Sequence, residues 1–261
     1  MTTLPFSFQI QEKFEKLSFR YGTQISEDSA ISSCSTPSTP TSPIDFEIKI
    51  ATLDDKEAVQ EFLQKFFYKD EPLNSFMEII TDEHPRCYDL ERFTLKNLDN
   101  GVNLLAVQNQ KIIGVCLNGN QVSLSDVIER GVIEEDFICD DEKFGKIVKL
   151  LEHVAVESDP FQIYPGIDMA MVVKILSVDG SYRGKGIAKD LMAKTRELAR
   201  LKGCGFITVD CTSHYTACAA KKLGFELHYT LNYADYKVAD KVVFKPEPPH
   251  KALTVYTQKI F

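Results

Sequence analysis

Val172-Val-Lys-Ile-Leu-Ser-Val178, followed shortly by Arg183-Gly184-Lys185-Gly186-Ile187-Ala188, decides the fold. The first stretch is an apolar run suited to a strand. The second opens a helical pattern with Ile187, Leu191, Thr195 and Leu198 on one face. A strand, a tight glycine turn and a helix N-terminus in that order make an anion site. The first N–H groups of a helix have no internal partner, and the helix dipole adds positive potential there. Two glycines remove the Cβ atoms that would hold a phosphate away from the backbone. Arg183 and Lys185 add formal charge. The expectation is a phosphorylated ligand gripped at this turn.

Two common phosphate loops are excluded by spacing. A Walker loop needs four residues between its glycines and Ser/Thr after its lysine. Here three residues separate Gly180 from Gly184, and Gly186 follows Lys185. A dinucleotide fingerprint needs a third glycine where Lys189 stands. Downstream, Phe206-Ile-Thr-Val-Asp-Cys211 reads as a buried strand. Ala217, Ala220 and Leu223 then resume helical spacing, and Gly224-Phe225 closes that helix.

This order resembles the core of the Gcn5-related N-acetyltransferases, with Arg-x-x-Gly-x-Ala as their pyrophosphate loop. The chain resembles the insect arylalkylamine (dopamine) N-acetyltransferases more closely. The resemblance rests on Phe66-Phe-Tyr-Lys-Asp-Glu-Pro-Leu-Asn74, Ile113-Gly-Val-Cys-Leu-Asn118, Lys174-Ile-Leu-Ser-Val-Asp179, Tyr182-Arg-Gly-Lys-Gly-Ile-Ala188, Ser213-His-Tyr215, Lys222-Leu-Gly-Phe225, Ala234-Asp-Tyr-Lys237 and Val243-Phe-Lys-Pro246. It implies an α/β (α+β) fold with a central mixed twisted sheet flanked by helices, acetyl-CoA as co-substrate, and an arylalkylamine as acceptor. It places the coenzyme across Leu176, Ser177 and Val178, over Arg183, Gly184, Lys185, Gly186, Ile187 and Ala188, and at Ser213. A strand bulge is expected to present free N–H groups there. Glu71 is the implied base, with Thr212 and Thr216 as hydroxyl partners. From position alone, Asp70 beside Glu71 is placed to pair with the amine or to cap the helix end, and Tyr182 is a candidate contact to the amine. Where many acetyltransferases carry a tyrosine acid, this chain has Ala220.

The residues themselves support part of this assignment. Pro72 pushes Glu71 out of the helical region, which lets its carboxylate face a cleft. Phe66, Phe67 and Leu73 are placed to desolvate it and raise its pKa. Equally, most glutamates are solvated surface charges. Thr212 or Ser213 also suits the N-cap of the helix starting near His214. Cys211 and Tyr215 are further candidates, although a strand cysteine is more often core packing. His214 is a candidate proton relay, whereas His153 and His250 read as packing or surface residues. Phe66, Phe67, Tyr68, Tyr182 and Tyr233 are candidates for an aryl pocket or for the core.

Composition narrows the classes. The net charge of −8 argues against a nucleic-acid binder. The seven cysteines form no CxxC pair, so neither a disulfide framework nor a metal site is expected. No apolar run approaches a membrane span, and no basic leader opens the chain. The expectation is a cytoplasmic monomer. Residues 1–45 read as a Ser/Thr/Pro-rich flexible tail, with Thr36, Thr39 and Ser42 before prolines and a short helical spacing at Ile10, Phe14 and Leu17. Residues 46–261 read as the acetyltransferase domain. Expected elements are a strand at Phe46–Ile50, a helix from a cap at Asp54, and a hairpin of Val102–Val107 with Ile112–Leu117. A helix over about Asp141–Val156, burying Phe144, Ile147, Val148 and Leu151, is expected next, then strands at Leu227–Tyr233 and Ala252–Gln258. Acylation of polyamines, use of long-chain acyl-CoA, and a non-catalytic acyl-CoA sensor remain the alternatives.

Overall fold

The structure, a computed structural model, describes residues 44–122 and 137–261. The expected tail through residue 43, with its helical spacing over residues 10–17, lies outside the described residues. The described chain opens with β1 (Glu47–Ile50), a 3-10 turn (Leu53–Asp55) and α1 (Lys56–Phe66). Asp54 does not cap this start. Thr52 and Asp55 do: the Thr52 N–H and hydroxyl both donate to Asp55 Oδ2, at 3.0 and 3.1 Å. Pro72 does not merely stop a helix. It occupies the first turn of α2 (Pro72–Met77), where its missing N–H costs nothing.

After α3 (Tyr88–Leu95), β2 (Leu104–Gln108) and β3 (Lys111–Val122) form the expected hairpin, with β3 extending beyond Leu117. Its turn residues Asn109 and Gln110 take φ of 49° and 63°, which suits the twist of a tight hairpin. α4 (Glu142–Ser158) is capped by Asp141, whose side chain accepts from the Phe144 N–H at 2.8 Å. Its buried stripe includes Leu150, while Leu151 is only partly covered. Then come β4 (Met169–Val178), α5 (Ile187–Lys202), β5 (Phe206–Cys211), α6 (His214–Lys222), β6 (Glu226–Asn232), the two-residue strands β7 (Lys237–Val238) and β8 (Lys241–Val242), and β9 (Ala252–Lys259).

Seven strands form one mixed sheet in the order β1-β2-β3-β4-β5-β9-β6. Only the β4–β5 pair is parallel. Apolar residues cover both faces. Leu105 and Val107 of β2 join the cluster under α1, α3 and α4, whereas Leu104 and Ala106 join the cluster under α5. A strand buried on both faces reads as a continuous apolar run, and Leu104–Val107 is fully buried.

Gly114 of β3 lies where α5 begins. A Cβ there would sit 2.9 Å from Ile187 Cγ2 and 3.3 Å from Leu191 Cδ1. Gly114→Val is therefore expected to destabilise the protein by about 1–3 kcal/mol and to push the start of α5 away from the sheet. The check is a chemical melt paired with coenzyme A titration. An unchanged midpoint and affinity would contradict the close packing.

Candidate active site

The site begins with a register break. Leu117 of β3 faces Ile175 of β4, but Asn118 faces Val173, so Lys174 is an extra residue on β4. Such a bulge bends its strand. β4 pairs with β5 only from Ala170↔Phe206 to Val173↔Val209. Beyond Val173 the two strands part. On that side the backbone groups of Leu176, Ser177 and Val178 have no strand partner among the described residues. A wedge lined by unpaired backbone results, of the kind expected from the resemblance.

The anion turn closes one end of the wedge. Asp179 accepts from the Ser181 N–H at 2.9 Å and meets Lys111 Nζ at 3.3 Å. Burial acts to raise its pKa, but these partners prevail and hold it below the usual carboxylate range. Gly184 and Gly186 take φ of 76° and 85°. A Cβ built on either meets nothing within 4 Å, so both glycines face open space rather than packed protein. Ile187 and Ala188 begin the sixteen-residue helix α5, whose first N–H groups point at that space. Lys185 lies 5.0 Å and Lys111 6.0 Å over the Tyr182 ring. Tyr182 packs toward the α5 face of the sheet. The structure thus sets it beside the anion turn and not with Glu71.

Glu71 stands on the other face. It is the N-cap of α2, with φ −69° and ψ 126°, and its Oε2 accepts from the Asn74 N–H at 2.7 Å. The other oxygen, Oε1, is buried with no hydrogen-bond partner among the described residues. Burial raises the carboxyl pKa. The Asn74 N–H, the nearby Thr212 hydroxyl and the Leu73 N–H offset this only in part. An orphaned buried oxygen on a carboxylate of raised pKa is the arrangement of a proton acceptor awaiting a donor. Phe66 and Phe67 are partly buried in the adjoining cluster, and the Phe66 carbonyl accepts from the Ser177 hydroxyl at 3.2 Å. Asp70, next to Glu71, is exposed.

Thr212 is brought to Glu71. Its carbonyl accepts from the Tyr233 hydroxyl at 2.7 Å. Burial, with Glu71 next in effect, drives the Tyr233 pKa far up, so this phenol is a fixed donor and not an acid. Ser213, not Thr212, caps α6: its Oγ accepts from the N–H groups of Tyr215 and Thr216. Thr216 lines a small apolar cavity under α6 with Ala220, Val173, Leu176 and Val209. Cys211 is buried, and desolvation pushes its thiol up to about 12, which removes it as a nucleophile. Tyr68 is core, 1% exposed. His250 accepts from the His214 backbone N–H at 3.2 Å and meets the Tyr215 ring edge-on; no group of metal-ligating side chains occurs among the described residues.

One residue escaped the sequence reading. Asp210 is the single charge in β5, and it lies at the mouth of the wedge. The signal was present: a carboxylate inside an otherwise uncharged buried strand.

A parted pair of parallel strands thus stands beside a glycine anion turn, with the buried Glu71 carboxylate across the sheet. The acetyltransferase (GNAT) family model matches residues 70–225, and the chain belongs to this family. Its structure is similar to arylalkylamine N-acetyltransferase 2 from Aedes aegypti, with 29% identity, a TM-score of 0.73, and 84% of this chain and 100% of that one covered. It is also similar to an agmatine N-acetyltransferase, with 26% identity, a TM-score of 0.69, and 83% and 100% covered. The Drosophila melanogaster polyamine N-acetyltransferase, which forms N-acetylagmatine, shows 25% identity, a TM-score of 0.69, and 82% and 100% coverage. The protein is an N-acetyltransferase that uses acetyl-CoA.

Proposed function

We propose that the chain transfers acetyl to the primary amine of an arylalkylamine such as dopamine, tyramine, octopamine, serotonin or tryptamine, with Glu71 as general base. The orphaned Oε1 of Glu71 carries this reading. A protonated amine has no free lone pair, so a group must take its proton before attack. A desolvated carboxylate does this better than a solvated one, because its pKa moves toward neutrality. Acetyl-CoA supplies the acyl group as a thioester. The N–H groups of α5 and the two glycines are suited to its diphosphate, with Arg183 and Lys185 alongside. The unpaired backbone of Leu176–Val178 is suited to the pantetheine arm and to charge developing on the acyl oxygen.

Ala220 places no acid under α6. A thiol of ordinary acidity leaves as thiolate without one, so the missing tyrosine does not by itself argue against turnover. Phe66 and Phe67, partly buried beside Glu71, are the aromatic residues we assign to the acceptor's ring. We place the reaction in the cytoplasm, with the protein as a monomer. Thiol release from acetyl-CoA, followed across a panel of aromatic amines, tests the proposal. Release is expected to depend on the amine and to follow its supply. Coenzyme binding with no release from any amine would make the chain a binder and overturn it.

A further inference from the structure

The register break at Lys174 has a second consequence besides parting two strands. Side chains of a strand alternate between its faces, and one inserted residue reverses the alternation beyond it. Before the break, Met171 and Val173 belong to the cluster under α5. After it, Leu176 and Val178 pack there, and Ile175 belongs to the cluster under α1, α3 and α4. The odd-numbered residues of β4 have changed faces. Ser177 therefore faces the side of Glu71, as does its register partner Val115. Without the extra residue its side chain would face α5.

Ser177 is 8% exposed, and its hydroxyl donates to the Phe66 carbonyl at 3.2 Å. Phe66 is the last residue of α1, where a carbonyl has no donor from its own helix. The next carbonyl, that of Phe67, accepts from the N–H groups of Asp70 and Glu71 at 3.1 and 3.0 Å. Two hydrogen bonds and one peptide unit thus join the strand assigned to the coenzyme to the backbone of the base. The bond from the Asn74 N–H orients the Glu71 carboxylate. Asn74 lies only three residues further on, so that bond does not tie the segment to β4. The Ser177 hydroxyl does.

We infer that Ser177 is a positioning residue for acetyl transfer: its hydroxyl, turned by the bulge onto the face of Glu71, holds the base within reach of an amine that attacks the thioester. The inference rests on the reading of Glu71 as general base. The backbone of Leu176–Val178 is suited to hold the acyl donor, and the side chain in the middle of that run sets the place of the proton acceptor. Such alignment matters, because a misplacement of about 1 Å costs on the order of 10²-fold in rate.

The test compares Ser177→Ala with Glu71→Gln and with the double variant. Ser177→Ala is expected to lower kcat with acetyl-CoA and the panel's aromatic amines by about 10- to 100-fold. Coenzyme A affinity is expected to stay near that of wild type. The acidic limb of kcat/KM is expected to move down, because a loosened segment lets water reach a carboxyl whose pKa burial raises. Tyr233 ionises far above this range. Asp210 on β5 titrates at about 6, so the limb followed is the one that Glu71→Gln abolishes. In the Glu71→Gln background, Ser177→Ala is expected to cost no further kcat. Should the alanine protein not fold, Ser177→Cys, a weaker donor of nearly the same size, is expected to lower kcat and the limb in the same direction. A lower melting midpoint with kcat and the limb unchanged, or an equal loss of kcat in both backgrounds, would overturn the inference and leave Glu71 as the base. Wild-type kcat in Glu71→Gln would overturn the base reading, and the inference with it.

Discussion

Glu71→Gln is expected to lower kcat/KM for every amine by roughly 10²–10⁴-fold, the span of general base catalysis. Coenzyme A affinity is expected to stay near that of wild type. The substitution keeps the shape of the side chain and an oxygen able to accept from the Asn74 N–H. It removes only the ability to take a proton. The pH profile sharpens the test. Because burial raises the Glu71 pKa, wild-type kcat/KM should climb through an acidic limb lying above the ordinary carboxylate range. The variant should lose that limb. Stability should move the other way. A carboxyl with a raised folded-state pKa binds its proton more tightly when folded, so wild-type stability falls as pH rises from the unfolded pKa through the folded one. At neutral pH Glu71→Gln is therefore expected to melt higher than wild type. Unchanged turnover would show that Glu71 is not the base.

Gly186→Val is expected to raise the KM for acetyl-CoA by at least tenfold. Gly186 has φ 85° and stands as the N-cap of α5. A β-branched residue there carries about 1–3 kcal/mol of backbone strain, which lowers stability in the free and the bound protein alike; the affinity loss comes from the side chain obstructing the phosphates, and about 1.4 kcal/mol of lost binding is tenfold. No protein atom lies within 4 Å of the added Cβ. The side chain thus enters the space assigned to the phosphates and not the core. The strain is expected to lower the melting midpoint modestly without disturbing the core, so the KM rise is expected in folded protein. Near-normal circular dichroism with a large KM rise is the predicted pair. An unchanged KM would contradict the assignment of the anion turn.

What could be read from the residues was local. Gly184 and Gly186 announce a turn and a helix start by their backbone freedom. Phe206–Cys211 was bounded correctly because it is a short apolar run between glycine and polar residues. Pro72 marked a break at Glu71, although its position inside the first turn of α2 depends on how the preceding loop folds. The long-range features were hidden. No glycine or proline marks the bulge at Lys174, which exists only as an offset between β3 and β4. The two-residue strands β7 and β8 are too short for alternation to show. α3 was missed, because its Glu91 is held by α1 residues Gln60 and Gln64, 31 and 27 positions upstream, as well as by nearby Arg86. Tyr182 was read as an amine contact from its neighbours in sequence. The sheet separates it from Glu71: Tyr182 packs with the cluster under α5 and α6, whereas Leu73 beside Glu71 packs with the cluster under α1, α3 and α4. Asp210 was legible as a charge out of place.

All of this depends on the parted end of β4 and the start of α5 forming one coenzyme site. Amide hydrogen exchange with and without coenzyme A tests that most directly. Protection is predicted to rise at Leu176–Val178 and over residues 184–188 together, with α4 and β1 unchanged. Protection confined to another surface, or none at saturating coenzyme, would contradict it.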